Sequence, residues 1–217
     1  MDNNHFEYQK ALQNHVSSKI GRWSSTLEYP DTKADLAILR SFAGKRPFDS
    51  IKPWPILLSG DENQVNLILS NYQYGRNNRL YGLSCGQVAI YYSLIFFALH
   101  QQGISPTSMH KPRVTMGSAL KNLVYNKISD PEQEDDSIAE SIENKKKKTY
   151  NRLIALSGKK DLFMQMNAIR GLIDLLHTNK IPVDYSQLAE DLFNIQFPKN
   201  KDSVLIRWIN DFNRTHH

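Results

Sequence analysis

Between Arg152 and His177 the apolar residues Leu153, Leu156, Phe163, Met166, Ile169, Leu172, Ile173 and Leu176 recur at steps of three and four. That 3.6-residue period buries one face of a helix against a core, and no strand pattern reproduces it. Arg152, Lys159, Lys160 and Arg170 are interleaved with the stripe, and Asp161 is the single acid between Lys145 and Gly171. The apolar side therefore packs inward while positive charge gathers on the wet side, which calls for a negatively charged partner.

The same period, broken by Pro and Gly, runs through most of the 217 residues and predicts an all-α fold. Helices are expected over residues 6–23, 30–43, 85–102, a shorter stretch around Met116, Leu120 and Leu123, and then 137–156, 159–179, 184–196 and 202–214. Pro47, Pro53 and Pro55 mark residues 47–79 as a folded connection with one or two short helices. The polar, acidic text after Asp130-Pro131 predicts a boundary, giving an N-terminal bundle over 1–130 and a C-terminal bundle over 131–217.

Several function classes lose support on composition and motif. Cys85 is the single cysteine, which excludes a disulfide framework and a cysteine-ligated zinc site and fits a reducing cytoplasm. The apolar run 88–99 is far shorter than the roughly 20 residues that span a bilayer, and the start at Met1 lacks a basic-then-apolar leader, so a cytoplasmic protein without a membrane role is expected. No P-loop or dinucleotide-binding glycine pattern occurs. The scattered histidines offer no metal-ligand spacing, and His100, ending an apolar helix, reads as a capping or core group. Adjacent acids such as Glu190 and Asp191 point to different sides of a helix and do not converge on a metal. No catalytic residue, metal or cofactor is expected.

What remains is basic residues with aromatic neighbours in a chain of formal charge +5. Lysine and arginine grip phosphates without reading bases. The candidate contacts are Arg40, Lys45, Arg46, Lys121, Arg152, Lys159, Lys160 and Arg170, with Lys145–Lys148 forming the densest charge run.

Specific words in the chain resemble one family. Phe97-Ala98-Leu99-His100-Gln101-Gln102-Gly103 is similar to the A-L-H-Q-Q-G ending of the central helix of the small subunit of the type I-E CRISPR Cascade complex, the CasB family. Ala34-Asp35-Leu36-Ala37-Ile38-Leu39-Arg40, with Pro47 after it, resembles that family's A-x-L-R-R helix. Val114 to Leu120, with its Gly117, Arg152-Leu153-Ile154-Ala155-Leu156 and Ile169 to Leu176 follow in the family's order. Ile181-Pro182-Val183-Asp184-Tyr185-Ser186-Gln187-Leu188-Ala189-Glu190-Asp191-Leu192 and the W-x-x-D-F of Trp208, Asp211 and Phe212 complete it.

The resemblance implies two helical bundles and no enzymatic activity. It further implies a place in Cascade as two copies beside the backbone and large subunits, with a basic face on the crRNA–target heteroduplex and the displaced non-target DNA strand of the R-loop in antiviral defence. It puts Arg40, Arg152 and Arg170 at family basic positions. Ser41 stands where members often have a second arginine, with Lys45 and Arg46 further on, and Ser118 stands where many have arginine, with Lys121 one turn later. The alternative reading of the same charge is a protein–protein spacer with no nucleic-acid role.

Overall fold

The computed structural model describes residues 3–69, 82–125, 136–159 and 161–214. Among them are ten helices and no strand: α1 Asn3–Ser25, α2 Pro30–Arg40, α3 Trp54–Leu58, α4 Glu62–Leu69, α5 Cys85–His100, α6 Met116–Tyr125, α7 Asp136–Ser157, α8 Leu162–Thr178, α9 Tyr185–Ile195 and α10 Pro198–Asn213. The all-α expectation holds, and the proline-rich connection carries the two short helices α3 and α4. The expected boundary near Asp130-Pro131 lies outside the described residues, as do Lys160, His216 and His217.

Helix ends differ from the periodicity reading wherever local chemistry overrides it. The expected helix at 159–179 starts later because Asp161 is the N-cap of α8, its side chain accepting the Met164 N–H at 2.9 Å. The expected start at 202 moves back to Pro198, whose fixed φ suits the first turn of α10 although the residues after it are polar. α2 stops at Arg40 instead of 43, and residues 41–43 continue as single turns before Gly44 reverses the chain at φ +82°.

α5 is the organising element. Its N-terminus is a reciprocal capping box between Ser84 and Gln87, and almost every residue along it is buried. A helix that is apolar all round has to be surrounded. α9 makes the most extensive packing against it, and α1, α2 and α8 cover the rest, while α6, α7 and α9 pack on α10. One contiguous core results, with residues such as Leu12, Leu39, Phe97, Ile173, Phe193 and Trp208 from both halves of the sequence.

The end of α5 shows what its His-Gln pair does. His100 is fully buried, its Nδ1 is 2.8 Å from the Tyr185 hydroxyl of α9, and its carbonyl lies 2.9 Å from His177 Nδ1 of α8. Gln101 donates to the carbonyls of Ile104 and Thr107 and accepts the Met109 N–H at 2.8 Å, fixing the following loop. That loop meets the α8–α9 linker through paired backbone bonds between Met109, Lys111 and Val183.

Burial, reinforced by His177, pushes His100 down to about 4. His15 and His110 are lowered too, again mainly by burial. A histidine whose folded pKa lies below its unfolded value contributes stability that is complete above pH 6.5 and drains away as pH falls towards the folded value. For His100 the window is pH 6.5 to 4, and the shift corresponds to roughly 3 kcal/mol. The stability difference between the parent and His100→Gln, measured by chemical denaturation, should therefore move in favour of His100→Gln from pH 7 to pH 5.

Candidate nucleic-acid interface

The end of α2 and the turn after it carry three of the expected basic residues, Arg40, Lys45 and Arg46, and the fold sets them against α8. Phe42 N–H bonds the Leu39 carbonyl, Ala43 that of Arg40, and Lys45 that of Phe42, so the chain stays tightly wound past the helix end. From beneath, the Tyr91 hydroxyl of α5 lies 3.3 Å from each of the Lys45 and Arg46 carbonyls, within reach of both for its single proton. Burial raises the Tyr91 phenol well above its ordinary range, so it stays a donor. The Arg46 N–H bonds Asp49, and the Trp54 indole donates to the Pro47 carbonyl at 3.1 Å, closing the far side of the loop.

Arg170, on α8, is distant in sequence but adjacent in space. Gly44, at φ +82°, suits the left-handed turn, and Arg170 Nη1 comes so near its Cα that an added Cβ would lie 2.5 Å from it, so a side chain there would push the mobile guanidinium end aside. Arg170 Nε lies 3.8 Å from Asp174, one turn along α8. The Arg46 guanidinium sits 5.0 Å from the ring centroid of Phe163 and 5.9 Å from that of Phe48. Lys45 Nζ lies 4.8 Å from the Phe42 ring. Ring faces attract cations, and such contacts hold long side chains in place while their charged ends stay wet.

The result is a compact basic patch of Lys45, Arg46 and Arg170, with Arg40 half-buried at the start of the same turn. Lys45 and Arg46 are exposed. The patch can hold phosphate oxygens by charge and by the planar forks of two arginines. Asp49 accepts from the Arg46 backbone and Asp174 lies beside Arg170.

The other candidates are placed differently. Arg152 is exposed on α7, beside Leu153 and Leu156, which face the core. Lys159 is half-buried in the α7–α8 link, where its carbonyl accepts from Gln165 at 2.7 Å and from Lys201 at 2.9 Å. Lys121 is engaged at the end of α10, its ammonium donating to the Arg214 carbonyl. Lys145–Lys148 lie on α7, where Lys146 pairs with Glu143.

Two features escaped the sequence reading. The periodicity puts Phe163 in the core stripe, yet it is only partly buried and carries Arg46. Lys201 joins the C-terminus of α7 to α10 by donating to the carbonyls of Ser157 and Lys159. The alternation Phe42, Lys45, Arg46, Phe48 was the available signal for an aromatic-supported basic turn; nothing local signals the Phe163 contact. Among the described residues no cluster of three or more His, Cys, Asp or Glu is arranged to hold a metal, and no helix is long and apolar enough to cross a membrane.

Comparisons with known proteins bear on the family and the fold. No curated protein sequence matches the chain significantly. Its fold is similar to that of CasB from Thermobifida fusca, with a TM-score of 0.69 at 20% identity over 94% of this chain and 98% of that one. The sequence model of the family CRISPR-associated protein Cse2 matches residues 35–212, which contain the basic turn, α5 and all of the C-terminal helices through Phe212. The chain therefore belongs to the CRISPR-associated Cse2 (CasB) family of Cascade subunits.

Proposed function

We propose that this subunit has no reaction of its own and serves a type I-E Cascade complex by gripping nucleic-acid backbone without sequence preference. Its task is to steady the crRNA–target heteroduplex and the displaced non-target DNA strand of the R-loop. The observation that carries this reading is the convergence of Lys45, Arg46 and Arg170 on one aromatic-supported patch from sequence-distant elements. R-loop formation exchanges one duplex for another of similar stability, so modest contacts to the extruded strand tip the balance. Placement beside the backbone and large subunits, with a second copy of the chain, belongs to the same proposal, as does a cytoplasmic location. Arg152 and Lys159 extend the grip along α7 and its exit.

A salt series tests it. Single-stranded binding should weaken linearly with the logarithm of salt concentration, and the triple change Lys45→Ala, Arg46→Ala, Arg170→Ala should lower the slope by about 2, at about 0.7 per lost phosphate contact. The loss should be equal across unrelated sequences. A response to salt that stays flat, or a triple variant that binds as well as the parent, would overturn the binding claim. If that variant instead failed only to join the other subunits, the spacer reading would replace it.

A further inference from the structure

At the opposite end of α2 from the basic turn, the C-terminal part of α1, the start of α2 and Ser59 enclose an open cavity of about 420 Å³. That lies within the roughly 300–1,000 Å³ of small-molecule sites. Tyr29, 63% exposed, stands on its wall, and the buried Trp23 indole is fixed there by donating to Asp35 at 3.4 Å. Thr26 and Thr32 share a hydroxyl–hydroxyl bond of 2.7 Å on the same wall.

The charges around the cavity decide what fits. Lys19 and Arg22 face Asp31 and Asp35, so the lining is balanced. An isolated phosphate would meet two carboxylates as well as two cations, whereas a neutral flat ring with donors and acceptors on its edge would find both complements. Lys19 is the unusual member. It is 4% exposed, its ammonium donates to the Ser59 carbonyl at 2.6 Å and to the Ser59 hydroxyl, and its Nζ is 5.7 Å from the Trp23 ring centroid. Two of three ammonium donors go to Ser59, leaving one for a ligand. Burial, with Arg22 adding to it, brings Lys19 down to about 8. A buried lysine costs folding free energy, and such groups cluster at sites that bind or react.

We infer that this cavity receives a nucleobase, with Tyr29 as the stacking face, Asp31 and Asp35 as acceptors for ring amino groups, and Lys19 as a donor to a ring carbonyl or nitrogen. The inference rests on the proposed strand-binding function and deepens it: backbone held at the turn after α2, a splayed base held at the helix's other end. α2, with 11 residues, separates the two by about 16 Å at 1.5 Å per residue. Base stacking on an aromatic tolerates any sequence, so the pocket adds affinity without a code.

The experiment compares an intact single-stranded oligonucleotide with one of equal length made abasic, on the full chain, by anisotropy across a salt series. The intact strand should bind about 5- to 150-fold more tightly, as expected for one stacked base. Tyr29→Ala should erase that ratio without changing the salt slope, and Tyr29→Phe should restore it. The Tyr29 side chain makes no capping bond to α2, so its loss spares the helix. The triple variant at the turn should lower the slope and keep the ratio. Equal binding of the two strands, or a ratio indifferent to Tyr29→Ala, overturns the pocket while leaving the backbone grip standing. If neither strand binds, the strand-binding function fails, and free adenosine and cytidine decide the pocket by saturation-transfer NMR. Contact signals lost in Tyr29→Ala then support a free nucleoside as the ligand, and no signal overturns it.

Discussion

Replacing Asp191 by Ala is expected to destabilise the fold by about 1–3 kcal/mol, the range for leaving a buried hydrogen-bond donor without its acceptor. Asp191 is 1% exposed on α9. It accepts from the Trp208 indole at 2.6 Å and from Gln187 at 3.1 Å, and it pairs with Arg207. Alanine would leave the indole N–H of the fully buried Trp208 without its acceptor and separate α9 from α10. Asp191→Asn should cost much less, because it keeps an acceptor and removes the charge. Burial pushes the Asp191 carboxyl up to about 6 in spite of Arg207, whose partly exposed guanidinium is screened by water.

The sign of that shift is opposite to that of the histidines. A carboxyl whose folded pKa is raised holds its proton more firmly in the folded state. Its contribution is therefore complete below 3.8 and is lost as pH rises through about 6, by roughly 3 kcal/mol. Equilibrium unfolding in denaturant should show Asp191→Asn closing its deficit against the parent between pH 4 and pH 7. A deficit that widens instead would mean that the ionised pair, and not the hydrogen bond to Trp208, holds the two helices.

Gly117→Ala is the second large effect. A Cβ there would sit 2.1 Å from the Trp208 carbonyl oxygen and 2.8 Å from Asp211 Cβ, so α6 and α10 would have to move apart. Overpacking of this kind costs about 1–3 kcal/mol or more, against a gain of about 1 kcal/mol for alanine over glycine inside a helix. Gly171 provides the control. It is exposed on α8 with nothing within 4 Å of its added Cβ, so Gly171→Ala should stabilise by about 0.5–1 kcal/mol. Opposite shifts in the denaturation midpoint are the expected result, and a neutral Gly117→Ala would show that this helix contact is not tight.

The words that resembled the CasB family turn out to be mostly structural. His100 and Gln101 close α5 and fix the loop after it, Asp184 caps α9 through Ser186 and Gln187, Gly117 admits α10, and Trp208 is held by Asp191. This explains why a reading of local pattern located the helices well. Caps, periodic stripes and proline positions act within a few residues, so they are written in consecutive text. Boundaries shifted at Arg40, where α2 gives way to single turns, and at Asp161 and Pro198, where a single residue's side chain or fixed φ outweighed the polarity of its neighbours.

The basic site was legible only in part. Its residue types could be named from charge, but the described candidates do not form one cluster: Lys121 is engaged at the end of α10, while Arg170 approaches the turn at Gly44 and Arg46 lies against Phe163 of the same helix. No local signal separates these cases, since each is a cation on or beside an amphipathic helix. The base pocket was invisible for the same reason, because Lys19, Tyr29 and Ser59 acquire a common wall only when α1, α2 and the chain after α3 are packed.

Consecutive residues suffice for the helical class and nearly every helix, because backbone hydrogen bonding and the 3.6-residue period are local. Tertiary structure alone decided which charges share a surface. Apolar burial drives α2 and α8 onto the same central helix without regard to the charges they carry. Gly44, Tyr91 and Phe163 then convert that indifferent packing into a defined patch, by admitting Arg170, holding the turn and seating Arg46.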